Sequence, residues 1–318
     1  MATKRLSVIL LAVSLAGLRT TIVAAQVDCG SPQFSHDGLT YDNRGRPLLP
    51  VTIGELKKTM LLDTGSALSA LEMDQVMELA LPQFYTGTTM TAITGESSSL
   101  ATEAETFSLG NIDRDRMRFM ILPGFDYKLS AEEPVGILAL DFFADYDLEL
   151  DFAGNEIRLF SLHECVDPGG TRMSDTAVVI PFERALSEFI TIPVSLDGVG
   201  LSAILDTGAA YSVLNLDVAA QHFGIDVSNP DERISRVDSD DAAATYARRF
   251  SELNLGGLEV AEPTITLFPN LLGGTAMTAL DGKQMSLPEL ILGMDLLQEL
   301  HLYISFREQN IYASPARH

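Results

Sequence analysis

Two acids carry the strongest chemical signal in this chain. Apolar residues run directly into Asp-Thr-Gly twice, as Met60-Leu61-Leu62-Asp63-Thr64-Gly65-Ser66 and as Ala203-Ile204-Leu205-Asp206-Thr207-Gly208-Ala209. A carboxylate at the end of a buried strand is partly desolvated and needs donors, which a Gly N–H and neighbouring hydroxyls supply. Gly also permits the tight turn and a close approach of backbone that any side chain would block. If the two turns meet across a pseudo-twofold axis, Asp63 and Asp206 lie side by side, cannot both ionise cheaply, and share one proton. Such a pair can do general acid–base chemistry on water: one carboxylate accepts a proton from it while the protonated partner polarises a carbonyl. That chemistry requires no metal, no cofactor and no covalent intermediate.

The elements that must position these acids are visible as a duplication. Leu49 to Leu81 aligns without a gap on Ile192 to Gly224 at an offset of 143. Within it Pro50 and Val51 match Pro193 and Val194, Leu62-Asp63-Thr64-Gly65 matches Leu205-Asp206-Thr207-Gly208, and Ala67, Ser69, Leu71 and Asp74 match Ala210, Ser212, Leu214 and Asp217. A later block aligns at an offset of 154, with Ile137-Leu138-Ala139-Leu140-Asp141 facing Ile291-Leu292-Gly293-Met294-Asp295 and Phe152 facing Phe306. Between them, Leu109-Gly110 through Pro123 is similar to Leu255-Gly256 through Pro269. Matching blocks in one order indicate a duplicated domain, and the drift in offset is what loop insertions in the second copy produce. The expected lobes are residues 30–160 and 177–318, joined by a linker around Val166 to Thr176 that contains Asp167-Pro168-Gly169-Gly170.

Within each copy the pattern is mostly β. Leu48 to Ile53, Thr59 to Leu62, Phe189 to Leu196 and Leu201 to Leu205 are apolar or alternating runs separated by Gly, Asp or Lys turns. Short helices are expected at Met73 to Leu81 and Leu216 to Phe223, with one more after each of Asp141 and Asp295.

Other chemistry is poorly supported. His36, His163, His222, His301 and His318 are dispersed without metal-ligand spacing. Gly95-Glu96-Ser97-Ser98-Ser99 lacks the second Gly of a nucleophile elbow. Gly273-Gly274 reads as a loop, and the acidic run Asp238 to Asp241 reads as a solvated loop before it reads as a calcium site.

The paired Asp-Thr-Gly turns, each followed by a hydrophobic-hydrophobic-small element (Ile137-Leu138-Ala139 and Ile291-Leu292-Gly293), resemble those of the aspartic peptidases, and more closely the bacterial retropepsin-like branch than the pepsins. The likeness extends over nearly the whole chain after its leader. It implies an all-β fold of two β-barrel lobes related by a pseudo-twofold axis, with a few short helices. It further implies an endopeptidase acting on polypeptides, with Asp63 and Asp206 as the catalytic pair. By the same resemblance Thr64 and Thr207 bond across the lobes, Gly65 and Gly208 donate to the carboxylates, and Ser66 adds a bond to Asp63 that Ala209 cannot offer Asp206. Ala139 and Gly293 pack behind the loops, and Ala139 departs from the usual Gly by a methyl that would shift the first loop slightly. The flap hairpins expected near Ile93-Thr94-Gly95-Glu96 and Asp238-Ser239-Asp240-Asp241 lack Gly-rich tips, and no Tyr-Gly flap pair of the pepsin kind is present. These departures keep open a catalytically silent, peptide-binding protein of the same fold, and separate copies of the motif also allow pairing between chains. Tethering the two lobes in one chain favours an intramolecular pseudo-dimer, a monomer in solution.

Composition sets the context. With 46% hydrophobic and 20% charged residues the chain reads as globular. Lys4 and Arg5, an apolar stretch from Leu6 to Leu18 and the small residues Val23-Ala24-Ala25 form the three parts of a secretory signal, so residues 1–25 are expected to be removed, leaving Gln26 first. Their loss takes away three bases and no acid, moving the formal charge from −23 to −26. Such a surface repels nucleic acid and anionic membranes and leaves polypeptides or small molecules as partners. Cys29 and Cys165 would both meet an oxidising, periplasmic or extracellular compartment, where a single disulfide between them is expected.

Overall fold

The computed structural model describes residues 32–92, 96–123, 134–162, 173, 177–184, 189–229, 231, 233–237, 245–268 and 289–316. Both expected cysteines and nearly all of the expected linker lie outside these residues.

Each acid terminates a strand that passes from surface to interior. In Leu56–Leu62 the polar Lys57, Lys58 and Thr59 give way to buried Met60, Leu61 and Leu62. Val199–Leu205 repeats this course, ending in buried Ala203, Ile204 and Leu205. Each of these strands is one arm of a hairpin, with Pro47–Ile53 and Ile190–Leu196 as the other arms. On its far side each pairs in parallel with a three-residue strand from the second repeated block: Leu61 and Leu62 with Ile137 and Leu138, Ile204 and Leu205 with Ile291 and Leu292. Those short strands are in turn flanked antiparallel by Ala70–Leu71 and Val213–Asn215. A strand sandwiched in this way is apolar on both faces, which is why Gly136–Leu138 and Leu290–Leu292 read as continuous hydrophobic runs.

The remaining strands close each sheet on itself. In the first lobe Gln83–Thr91, Ser97–Leu109 and Ile112–Ile121 form a meander, and Ser97–Leu109 returns to pair with Pro47–Ile53 at Thr52–Ser108 and Ile53–Phe107. The second lobe makes the same closure through Ser195–Asn254 and Leu196–Leu253. There, however, the two long strands are each broken in two, as Thr245–Arg249 with Glu252–Leu255 and Leu258–Ala261 with Thr264–Phe268. Pro263 sits at one break, where a ladder donor would be missing.

The lobes are joined by a third sheet of six strands, three from each: Phe34–Asp37, Glu156–Ser161 and Tyr146–Asp151, then Leu300–Ser305, Asn310–Pro315 and Val178–Pro181. The seam pairs Leu148 with Ile304 and Leu150 with Leu302. These four side chains belong to a single hydrophobic core that runs through both lobes. The matched turns after Leu109 and Leu255 show how closely the copies agree. Gly110 (φ 59°) and Gly256 (φ 63°) both take the left-handed region, and a β-carbon on either would press on the outermost strand of this sheet, at Phe34 (2.6 Å) and Ile180 (2.9 Å) respectively.

The expected helix Leu216–Phe223 is present with those bounds, capped by the Asn215 side chain, which accepts from the N–H groups of Asp217 (2.8 Å) and Val218 (3.3 Å), and stopped by left-handed Gly224. Its partner stops short, at Met73–Glu78 rather than at Leu81. Pro82 disfavours the helical region for Leu81, and Ala80 turns the chain out at φ 51°. The other two helices, Leu140–Phe143 and Met294–Leu297, do not follow Asp141 and Asp295 but contain them.

Polar residues occupy part of the seam. Asp147 accepts from the Tyr303 hydroxyl across it (3.2 Å) and from the Phe306 N–H (3.0 Å), and Glu149 meets His301 (3.0 Å) and Arg158 (3.1 Å). Because Tyr303 is fully buried, Tyr303→Phe keeps the packing and leaves Asp147 short of a donor. Unfolding free energy is expected to fall by about 1–2 kcal/mol, seen as a lower urea midpoint at unchanged slope.

Candidate active site

Four hydrogen bonds between the two Asp-Thr-Gly loops place the acids. The Thr64 N–H donates to Thr207 Oγ1 (3.1 Å) and the Thr207 N–H donates to Thr64 Oγ1 (3.1 Å). The hydroxyls then reach past each other: Thr64 Oγ1 donates to the Leu205 carbonyl (2.8 Å) and Thr207 Oγ1 to the Leu62 carbonyl (2.7 Å). Both threonines are wholly buried, so every donor and acceptor in the interlock is satisfied by the opposite lobe.

The acids sit one residue earlier. Their backbone N–H groups donate to the short inner strands, Asp63 to Leu138 and Asp206 to Leu292, each at 3.0 Å. Their side chains face each other within hydrogen-bonding reach. Each carboxyl also lies against the glycine of the other loop. A β-carbon at Gly65 would overlap the Asp206 carboxyl, and one at Gly208 would lie 2.5 Å from Asp63 Cγ, so close approach is what glycine permits at both positions. Enclosed by protein yet still partly accessible, the pair can be reached by solvent.

The two acids are not equivalent, and the difference runs opposite to the expectation from Ser66. The Ser66 hydroxyl turns away from Asp63 and donates to the Leu68 carbonyl (3.1 Å). Asp63 receives one backbone donor, Gly65 N–H (2.9 Å), whereas Asp206 receives two, Gly208 N–H (2.8 Å) and Ala209 N–H (3.0 Å). Sequence reasoning compared side chains at these positions, and the backbone decides. Burial pushes Asp63 well above the ordinary carboxylate range, and the neighbouring charge of Asp206 pushes it further. Burial raises Asp206 as well, but its two N–H donors oppose this and hold it to about 6.

Behind the loops the duplication supplies a brace that sequence reasoning recorded only as matching letters. Asp141 accepts from the Ser69 hydroxyl (2.6 Å) and N–H (3.0 Å), and Ser69 Oγ in turn accepts from the Ala139 N–H (2.9 Å). The second lobe repeats it with Asp295, Ser212 (2.7 and 2.8 Å) and the Gly293 N–H (3.0 Å). Burial pushes both of these carboxyls up, against the pull of their serines. The methyl of Ala139 leaves this brace intact. It does accompany a longer bond from the next residue, 3.2 Å for Leu140 N–H to Ser66 against 2.8 Å for Met294 N–H to Ala209.

One further charge stands beside the acids. Arg46, at the residue before the strand Pro47–Ile53, donates through Nη1 to the Gly208 carbonyl (3.2 Å) and is held from behind by Asp42 (Nε to Oδ2, 2.7 Å; Nη2 to Oδ2, 2.6 Å). Nothing in the repeat pointed to it, since the corresponding position at offset 143 is Phe189. The flap tips expected at Ile93–Glu96 and Asp238–Asp241 fall, apart from Glu96, outside the described residues, though the strands leading to both hairpins are paired.

The sequence model of the aspartyl protease family matches the chain twice, over residues 49–142 and 192–296, and the two matches take in both acid loops and both braces. The chain belongs to the aspartyl protease family. No curated protein sequence matches it. The family is one of peptidases, and the two matched segments correspond to the two β-barrel lobes.

Two outcomes follow from this geometry. A β-carbon at Gly293 would lie 2.5 Å from the Tyr211 carbonyl carbon and 2.9 Å from the Ser212 nitrogen, so Gly293→Ala is expected to cost about 1–3 kcal/mol. Ala139→Gly, where the lobe already makes room, is expected to cost about 1 kcal/mol through the lost methyl and added chain entropy, as read by chemical denaturation. The second outcome concerns pH. An unfolded Asp titrates near ~3.9, and Asp206 in the folded chain near 6. The native state therefore binds the extra proton, and stability falls as pH rises between those values. Asp206→Asn removes that penalty, so its melting temperature should exceed the parent's at pH 7 by roughly a few degrees, with the gap closing at pH values below ~4.

Proposed function

We infer that the chain is an aspartic endopeptidase that hydrolyses polypeptides with water activated between Asp63 and Asp206. The observation that carries this reading is the threonine interlock, which brings two desolvated carboxyls from separate lobes into hydrogen-bonding reach. Asp206, with two backbone donors, is the better stabilised carboxylate and accepts a proton from water. Asp63 holds the shared proton and donates a hydrogen bond to the scissile carbonyl. The resulting hydroxyl adds to the carbonyl carbon, and the tetrahedral species collapses as the amide nitrogen takes a proton from the pair and leaves as an amine, which restores the single shared proton. Thr64, Thr207, Gly65 and Gly208 hold the loops, and Ala209 supplies the N–H that distinguishes the two acids. In this reading the signal segment 1–25 directs the chain out of the cytoplasm, and the enzyme works as a monomer in the periplasm or outside the cell on polypeptide substrates.

Asp63→Asn and Asp206→Asn, folded as judged by circular dichroism, should each lose at least roughly 10³-fold in kcat/KM on a denatured protein substrate. The parent's kcat/KM should fall on the acid side with a midpoint near 6, where Asp206 takes up its proton. Full activity in either variant would overturn the paired-acid mechanism. Tight peptide binding by the parent without hydrolysis from about pH 3 to 8 would instead establish a silent binding protein.

A further inference from the structure

The acid pair is built by a duplication, yet one charged group beside it belongs to a single lobe. Arg46 lies three residues before the first segment matched by the family model, and its counterpart in the second lobe is the apolar Phe189. Its guanidinium is not left to find its own place. Asp42, whose side chain is only 4% exposed, accepts from Arg46 Nε, from Nη2, and from the backbone N–H groups of Arg44 and Arg46 (both 2.9 Å). Burial works against ionisation of Asp42, but these donors outweigh it and hold its carboxyl below the ordinary range, so the anchor is charged. With Nε and Nη2 committed to Asp42, Nη1 points across the lobe boundary to the carbonyl of Gly208, the residue whose N–H binds Asp206.

We propose that Arg46 is a positioning residue for the acid pair: clamped by Asp42, it fixes the Gly208 peptide from the opposite lobe and supplies the positive charge that favours the singly ionised pair over the fully protonated one. A planar fork suits this task because it can satisfy an anchor on one edge and a carbonyl on the other. Among the described residues, few groups face the pair. Asp63 and Asp206 face each other, the N–H groups of Gly65, Gly208 and Ala209 face one acid each, and Arg46 acts on both acids in the direction that lowers their pKa. Asp42 stands on the far side of the guanidinium, and Asp141 and Asp295 lie behind the loops, each tied to its serine. Arg46 thus offsets part of the burial penalty that both acids bear.

This inference deepens the peptidase reading, and its test does not require that reading to hold. The carboxyl carbons of Asp63 and Asp206 can be titrated by 13C NMR in the full chain and in Arg46→Met, Arg46→Gln and Arg46→Lys. In Arg46→Met the titration of the pair should move up by roughly half to one pH unit. Arg46→Gln, which can still donate to the Gly208 carbonyl, should move it as far, and Arg46→Lys should keep it within a few tenths of a unit. If the parent hydrolyses peptide, the acid limb of kcat/KM should move with the titration, so that at pH 6 the Met and Gln variants retain a fraction of their plateau activity roughly two- to five-fold smaller than the parent's. An unmoved titration in folded Arg46→Met and Arg46→Gln would overturn the proposal, as would a shift in Arg46→Lys equal to that in Arg46→Met. Absence of hydrolysis by the parent would instead count against the peptidase reading while the titration still decided the role of Arg46.

Discussion

The structure depends on the interlock of Thr64 with Thr207. Each residue gives its N–H to the other's hydroxyl oxygen and its hydroxyl proton to the carbonyl of the strand that leads into the opposite loop. In water such bonds would be worth little, because each donor and acceptor would exchange one partner for another. Here the alternative to the interlock is not hydration but six buried polar groups, two N–H groups, two hydroxyls and two carbonyls, without these partners, which is the costly side of the same balance. The geometry therefore admits one relative placement of the two loops, and that placement puts Asp63 beside Asp206.

From this constraint the rest follows in sequence. Loops held this close leave room only for hydrogen at residues 65 and 208, where a β-carbon would strike the opposite carboxyl. Acids held this close and largely enclosed by protein resist ionising together: burial raises both, and the charge of Asp206 raises Asp63 further. The loops are backed by polar scaffolding, the Ser69–Asp141 and Ser212–Asp295 braces, whose serines are buried, and these tie each loop to a short helix that begins where the inner strand ends.

Much of this was legible in the sequence because duplication repeats what geometry requires. The strands leading into Asp63 and Asp206, the repeated hydrophobic elements at Ile137 and Ile291, and the helix Leu216–Phe223 could be placed from apolar runs and matched blocks. The matches of Ser69 with Ser212 and of Asp141 with Asp295 were visible too, but not their meaning, since residues some 70 to 80 positions apart do not announce a hydrogen bond. Two kinds of feature escaped. One was set by backbone: whether Ala209 N–H or the Ser66 hydroxyl reaches its acid depends on the turn, not on side-chain type. The other broke the symmetry. Arg46 has no counterpart in the second copy, so a reading guided by repetition passed over it, and the seam between Tyr146–Asp151 and Leu300–Ser305 joins segments whose pairing no local pattern encodes.

That seam has a consequence for how the molecule comes into being. Its two halves are separated by some 150 residues along the chain, and until Leu300–Ser305 arrives, Tyr146–Asp151 is the open margin of a three-stranded sheet. Long-range pairing of this kind forms late, because the intervening loop must close before any contact rewards it. A ribosome-bound chain that has emerged as far as Asp206 already contains both acids, but not the strands that complete the platform beneath them. The seam that joins the two lobes is complete only once the hairpin Leu300–Pro315 has been made, well after both acids.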